Sequence, residues 1–217
     1  MQVQVMKNIL GENDKVASEN RKFFNDNNVF VINLMGSPGS GKTSLLEKTI
    51  AELKDKISIA VIEGDLFTAK DAERIELHEV PVIQINTTGG CHLDAPMVRR
   101  AADSLDLNKI DLLIVENVGN LVCPAEFDVG ENIKAAVLSI TEGDDKPLKY
   151  PLIFKESAVV LLNKIDILPF TNFNLESARE DLTALHPGIK IIETSCTTGA
   201  GIPQWCEWLN SLVSEIK

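Results

Sequence analysis

Gly36-Ser37-Pro38-Gly39-Ser40-Gly41-Lys42-Thr43 stands directly after an apolar run, Val29–Met35, and directly before an amphipathic stretch, Lys42–Leu53. The octet fits G-x-x-x-x-G-K-[S/T] in the strand–loop–helix setting that a phosphate-binding loop requires. Glycines such as Gly36, Gly39 and Gly41 let successive backbone N–H groups converge on a β-phosphate, and the start of the following helix adds a favourable dipole. Ser37, Ser40 and the following Ser44 belong to the same cradle. Lys42 is placed to reach the β- and γ-phosphates, and Thr43 to ligate Mg²⁺. The plainer reading, a glycine-rich turn beside a surface lysine, leaves the flanking strand and helix unexplained.

On both sides of this loop, apolar runs bounded by turn residues recur, with amphipathic stretches between several of them. That alternation predicts an α/β fold: a three-layer P-loop NTPase whose mostly parallel sheet is flanked by helices. Strands are expected at Val29–Met35, Ile57–Glu63, Val82–Asn86, Leu112–Glu116, Ala135–Ile140, Ala158–Asn163 and Lys190–Thr194. Helices are expected at Asn13–Asn25, Lys42–Leu53, Ala69–Glu79, Pro96–Ser104, Leu175–Leu185 and Pro203–Ile216. The first of these is polar and is expected outside the core, so residues 1–28 read as a partly helical amino-terminal extension and residues 29–217 as a single P-loop domain. With 217 residues, 44% of them hydrophobic, the chain suffices for one well-buried domain and is short for two. Glu142–Tyr150 (EGDDKPLKY) reads as an exposed polar loop.

The formal net charge of −11 presents a repelling field to a phosphate backbone, which argues against nucleic acid as a partner. The amino end lacks a continuous apolar run, and no later stretch reaches the roughly 18 apolar residues that span a bilayer. The expectation is a soluble, cytoplasmic protein with no membrane partner. Cys91, Cys123, Cys196 and Cys206 are too few and too scattered for a disulfide framework. Reduced thiols, some of them metal-binding, fit better.

Asn163-Lys164-Ile165-Asp166 follows an apolar strand and therefore falls at the carboxyl edge of the sheet, where doubly wound folds bind ligands. It looks like the N-K-x-D guanine box. A carboxylate at Asp166 accepts hydrogen bonds from the N1–H and exocyclic amine of guanine, whereas adenine has no proton on N1, so GTP is expected over ATP. Ser195 and Cys196, in Thr194–Gly199 after the last strand, resemble the weaker segment that covers the base. Two acidic strand ends complete the nucleotide site. Glu116-Asn117-Val118-Gly119 stands where most GTPases carry D-x-x-G, with Gly119 able to turn its amide to the γ-phosphate and Glu116 able to hold Mg²⁺ directly or through water. In Glu63-Gly64-Asp65, Asp65 is a candidate for orienting water or Mg²⁺; the competing reading is a cap on the next helix. No compelling glutamine or arginine finger is visible, so intrinsic turnover is expected to be slow.

Thr88-Gly89-Gly90-Cys91-His92-Leu93-Asp94 follows the third strand, and Leu121-Val122-Cys123-Pro124 lies just past Gly119, so both belong to loops on the nucleotide face. Thiolate sulfur and imidazole nitrogen suit Zn²⁺ or Ni²⁺, and a glycine-rich loop can turn Cys91 and His92 toward one ion where a regular strand would point them apart. Against this stands the reading of buried cysteines as small hydrophobes. Cys196 and Cys206 fit that second reading better, and His78 and His186 have no nearby ligand partners.

Gly36–Thr43, Glu63–Asp65, TGGCHLD at Thr88–Asp94, ENVGNLVCPAEFDVGE at Glu116–Glu131 and Asn163–Asp166, in this order, closely resemble the HypB family of GTPases, which help insert nickel into [NiFe]-hydrogenase. The resemblance runs from about Val29 to the carboxyl end, and TGGCHLD and the Cys-Pro after E-N-V-G-N-L are not general GTPase features. It implies the metallochaperone branch of the signal-recognition/MinD-like P-loop class, although Ser37 stands where the ATPase members carry an extra lysine. It further implies GTP, Mg²⁺ and Ni²⁺ or Zn²⁺ as cofactors, and Cys91, His92 and Cys123 as metal ligands near a homodimer interface. The partners it implies are a HypA-like accessory protein and the hydrogenase large subunit. Met1–Asn28 contains no histidine or cysteine, so the nickel-storing motifs of many bacterial members are missing from it. Urease nickel GTPases, which carry Cys-Pro-His in one loop, and a non-enzymatic metal carrier switched by GTP binding are the competing functions.

Overall fold

The computed structural model describes the backbone of residues 2–66 and 70–216 and the side chains of residues 10–66 and 71–216. Seven strands form one sheet: β1 (Phe30–Gly36), β2 (Ile59–Asp65), β3 (Val82–Asn86), β4 (Leu112–Glu116), β5 (Ile133–Ser139), β6 (Ser157–Asn163) and β7 (Lys190–Thr194). All neighbours pair in parallel, in the order β3-β2-β4-β1-β5-β6-β7. Every strand therefore ends at one edge, and the polar or glycine residues that close the strands collect there. Helices α1 (Gln2–Asp26), α2 (Lys42–Leu53), α3 (Lys70–Glu76), α4 (Ala95–Ala102), α5 (Cys123–Glu126), α6 (Lys146–Lys149), α7 (Pro151–Glu156), α8 (Leu175–Leu185) and α9 (Ile202–Ser214) accompany the sheet.

Strand residues alternate between two faces, and the apolar runs are long enough to serve both. Ile32 and Leu34 of β1 pack with Leu45, Leu46 and Ile50 of α2 and Trp205 and Leu209 of α9. Val31 packs instead with Phe24 of α1 and Val98 and Ala101 of α4, and Met35 with Ile153 and Phe154 of α7 and Leu182 of α8. Such unbroken burial is what a parallel sheet covered on both sides demands. Across the first face, the Trp205 indole Nε1 donates to Thr49 Oγ1 at 2.8 Å, which pairs the buried ring nitrogen.

Several elements differ from the sequence-based expectation. The expected second strand is shifted: Gly64 and Asp65 pair with Ile85 and Asn86 of β3 and so belong to β2 itself. The polar stretch Glu142–Tyr150 contains α6 and buries Pro147, because Ser139 and Glu142 close a capping box that folds the chain back after β5. The largest departure is α1. Its sequence is polar, yet Ala17, Asn20 and Phe24 are fully buried, with Phe24 inside the cluster of Val29, Leu113 and Leu93. The helix is therefore not outside the core. Its polar residues are used for backbone contacts: Asn13 Nδ2 donates to Asp128 O and its Oδ1 accepts from Ala95 N, while Asn20 Nδ2 donates to Ala95 O and Val129 O. The helix expected over Ala69–Glu79 spans Lys70–Glu76, and Ala69 lies outside the described residues.

Candidate nucleotide and metal site

The loop between β1 and α2 folds as its glycines require. Gly41 takes φ 98° and faces the Asn163 side chain so closely that a Cβ would collide with it. Asn163 Nδ2 donates to Ser40 O at 2.9 Å, and Lys164 Nζ to Gly39 O at 2.6 Å. The β6 end is thereby fastened across the phosphate loop. Asp166 accepts from Ser195 Oγ at 2.6 Å, and the same hydroxyl accepts from Thr198 N at 3.1 Å, so the loop after β7 positions the carboxylate. Cys196 Sγ lies 3.8 Å from Asn163 Oδ1, partly buried on the first face of the sheet. Ser37 Oγ hydrogen-bonds Glu142, tying the phosphate loop to the end of β5 as well.

A cleft of about 420 Å³ opens at these strand ends. It is lined by Gly39, Gly41, Lys42, Thr43 and Ser44 on one side and by Glu63, Asp65, Glu116 and Gly119 on the other. Thr43 Oγ1 donates to Glu116 Oε1 at 2.8 Å. Lys42 Nζ donates to Gly36 O and Ser37 O at 3.4 and 3.3 Å. Gly119 lies against the loop: a Cβ there would meet Pro38 Cα at 2.9 Å, so no larger residue fits.

Glu63 and Glu116 are buried side by side in the floor. Burial first, then the neighbouring Glu116 charge, pushes the Glu63 carboxyl up to about 11, and burial raises Glu116 also, against the pull of Lys42. Each retains one buried carboxylate oxygen, Oε2, with no hydrogen-bond partner. Two desolvated carboxyls beside a threonine hydroxyl form an oxygen donor set of the kind a hard divalent cation such as Mg²⁺ takes, and a cation would relieve the cost of ionising them. Asp65 accepts from Leu66 N at 2.6 Å at the rim of the cleft.

The second cluster is on the same edge. The loop after β3 brings Cys91 and His92, and the loop after β4 brings Cys123 at the start of α5; their ligand atoms all lie within 4.8 Å of one another. Cys91 Sγ is 2.9 Å from Cys123 Sγ and 3.6 Å from His92 Nδ1. His92 stacks on Phe127 with ring centroids 3.8 Å apart, and burial lowers its basicity, so the ring is kept neutral and able to donate a lone pair. Two sulfurs and an imidazole fit a borderline ion such as Ni²⁺ or Zn²⁺ and leave coordination positions open for further ligands.

Residues 30–193 match the family described as CobW/HypB/UreG, nucleotide-binding domain. The chain is 49% identical over 209 residues to hydrogenase maturation factor HypB of Escherichia coli strain K12, a match covering 96% of this chain and 72% of that one. The crystal structure of HypB from Helicobacter pylori in complex with nickel superposes with a TM-score of 0.89 at 38% identity, over 94% of this chain and 96% of the other. The chain belongs to the HypB family. The signal recognition particle receptor FtsY of Elizabethkingia anophelis, with a TM-score of 0.55 at 16% identity over 83% of this chain and 65% of the other, shares the fold alone.

Not every residue of this HypB-family cleft is apparent in the sequence. Arg74 of α3 reaches the cleft and is held by Glu47 at 2.6 Å, Asp71 at 2.9 Å and Ser44 Oγ at 3.2 Å. Asp71 faces Glu63 and Glu116 as a further negative charge. Both sit in a short charged helix whose spacing carries no motif. Asn117 Oδ1 accepts from Leu93 N and Val118 N at 3.0 Å each, joining the β4 end to the Cys91–His92 loop. Its place inside E-N-V-G was the available signal. His186, at the end of α8, and His78, in the turn after α3, lie apart from this cluster. A larger cleft of about 660 Å³ opens at the amino ends of β5 and β6 among Arg21, Glu131, Lys134 and His186, and is lined by none of the phosphate-loop, N-K-x-D or Cys91–His92–Cys123 residues.

Proposed function

We propose that this chain is a GTP-hydrolysing metallochaperone that carries nickel for insertion into [NiFe]-hydrogenase. The observation that carries the reading is the meeting, at one edge of one sheet, of a P-loop fastened to an N-K-x-D segment with a Cys91–His92–Cys123 cluster whose Cys123 lies four residues past Gly119. The named relatives, a hydrogenase maturation factor and a HypB bound to nickel, point to the same function.

In this reading the P-loop amides and Lys42 hold the phosphates, Asp166 selects guanine, and Ser195 keeps that carboxylate oriented. Thr43, Glu116 and Asp65 are the ligands or water-mediated contacts of Mg²⁺, which supplies charge neutralisation on the phosphates. Asp65 at the rim orients the attacking water, whose oxygen bonds to the γ-phosphorus as the bond to the β–γ bridging oxygen breaks and GDP leaves. Turnover is slow without a partner, since Arg74 is engaged by Glu47 and Asp71. Cys91, His92 and Cys123 hold Ni²⁺ or Zn²⁺ as cargo, and a homodimer supplies the ligands that complete its coordination. The remaining partners are a HypA-like accessory protein and the hydrogenase large subunit, in the cytoplasm. Among the described residues no helix is long and apolar enough to cross a membrane.

Separate Cys-His and Cys-Pro loops favour hydrogenase over urease maturation as the destination. Multiple-turnover phosphate release separates an enzyme from a carrier that merely binds nucleotide. Lys42→Ala should abolish it; phosphate release equal to wild type, in a preparation free of contaminating GTPase, overturns the assignment.

A further inference from the structure

Asn120 is the one residue between Gly119 and Cys123 that bonds to both metal-bearing loops and to the phosphate loop. Its backbone N–H donates to Gly36 O at 3.0 Å, and the two residues form an isolated antiparallel bridge. That same carbonyl accepts from Lys42 Nζ. The Asn120 side chain faces the other way. Its Nδ2 donates to Cys91 O at 3.3 Å, its Oδ1 accepts from Val122 N at 2.9 Å, and its amide also lies against the Cys123 thiol. One planar amide thus sets the separation between the backbone that carries Cys91 and the backbone that carries Cys123, while its own main chain is fixed to the loop that would hold phosphate.

We infer that Asn120 is a positioning residue that transmits the state of the bound nucleotide to the spacing of Cys91 and Cys123. This rests on the nucleotide and metal reading given above. Gly119 abuts Pro38 with no room for a side chain, so a change in contact at the γ-phosphate displaces Gly119 and the phosphate loop together. Asn120 follows, because it is bonded to that loop and adjacent to that glycine. A shift of a few tenths of an ångström at two sulfurs is enough to change their hold on an ion, since ligand distances in such sites are narrowly defined. Coupling of this kind is reciprocal and typically amounts to about 5–150-fold in affinity.

The test is the ratio of Ni²⁺ affinities measured with GDP and with a non-hydrolysable GTP analogue, in wild type, Asn120→Ala and Asn120→Asp. The alanine variant keeps the backbone bond to Gly36, so its affinity for each nucleotide should stay within about twofold of wild type, and it should still show Ni²⁺–thiolate charge-transfer absorption. Its Ni²⁺ affinity ratio should fall to within about twofold of one. Asn120→Asp keeps the acceptor for Val122 N but loses the donor to Cys91 O, and should lose most of the ratio while leaving the α5 turn intact; it decides the matter if the alanine variant does not fold. A wild-type ratio that persists in both variants overturns the role of Asn120 alone. A wild-type ratio of one, with Ni²⁺ and nucleotide both bound, overturns the coupling on which it rests and the inference with it.

Discussion

The Cys91 sulfur lies 2.9 Å from the Cys123 sulfur across 32 positions of sequence, one thiol delivered by the end of β3 and the other by the end of β4. Neither loop alone offers a metal more than two donors of this cluster. Cys123→Ala should therefore weaken Ni²⁺ binding at least tenfold, about 1.4 kcal/mol, while guanine nucleotide affinity is retained. The hydrogen bond with Cys91, then burial, raises the Cys123 thiol above its ordinary range, so uptake of metal near neutral pH must release protons and strengthen as pH rises. Calorimetry in buffers of different ionisation enthalpy measures both; unchanged affinity in the variant, or uptake with no proton release, counts against this ligand set.

Ser195 holds Asp166 from outside the N-K-x-D segment at 2.6 Å, which leaves the other carboxylate oxygen for the base. Asp166→Asn should weaken GTP by about 10–100-fold and improve xanthosine triphosphate, because the amide can donate to the xanthine 2-oxygen that the carboxylate repels. Competition binding with the two nucleotides is the measurement. Equal selectivity in the variant moves base recognition elsewhere.

Glu131 is buried in a polar chain in which Asn33 Nδ2 donates to it at 3.4 Å and Val129 N at 2.7 Å. Burial outweighs the attraction of Lys134 and lifts its carboxyl from 4.5 to about 7. Between those values the folded chain holds a proton that the unfolded chain has released, so stability falls as pH rises through this window, by up to about 3 kcal/mol. Glu131→Gln should flatten that slope in urea melts taken from pH 5 to pH 8. A slope equal to wild type would remove Glu131 as its source.

Asn20 is fully buried, and its amide supplies Ala95 O and Val129 O, one beside each metal-bearing loop. Asn20→Ala leaves two carbonyls without this donor and should cost about 2–4 kcal/mol, more than an exposed helix position would. Denaturant midpoints report it. A loss below about 0.5 kcal/mol would mean that α1 merely rests on the sheet.

Much of this protein was legible in the residue order because its information is local. A P-loop is a strand, a glycine turn and a helix start in immediate succession, so Gly36–Thr43 declared both the fold class and the edge of the sheet where function lies. Asn163–Asp166 was legible for the same reason, as a short run at the end of an apolar strand. Apolar period and turn residues located all seven strands to within about two residues, since each strand had to be buried on both sides. What needed the tertiary structure was every relation between distant segments. The strand order sets β4 beside both β1 and β2, and that alone brings Glu116 next to Glu63 and to Thr43 and raises both carboxyls. Adjacent strand ends likewise bring Cys123 to Cys91, and no spacing in the chain encodes a gap of 2.9 Å. The polar α1 misled for a complementary reason. Its asparagines resemble surface residues by composition, yet they are buried because the ends of the Cys91–Asp94 and Cys123–Val129 segments present backbone groups that only side-chain amides can satisfy.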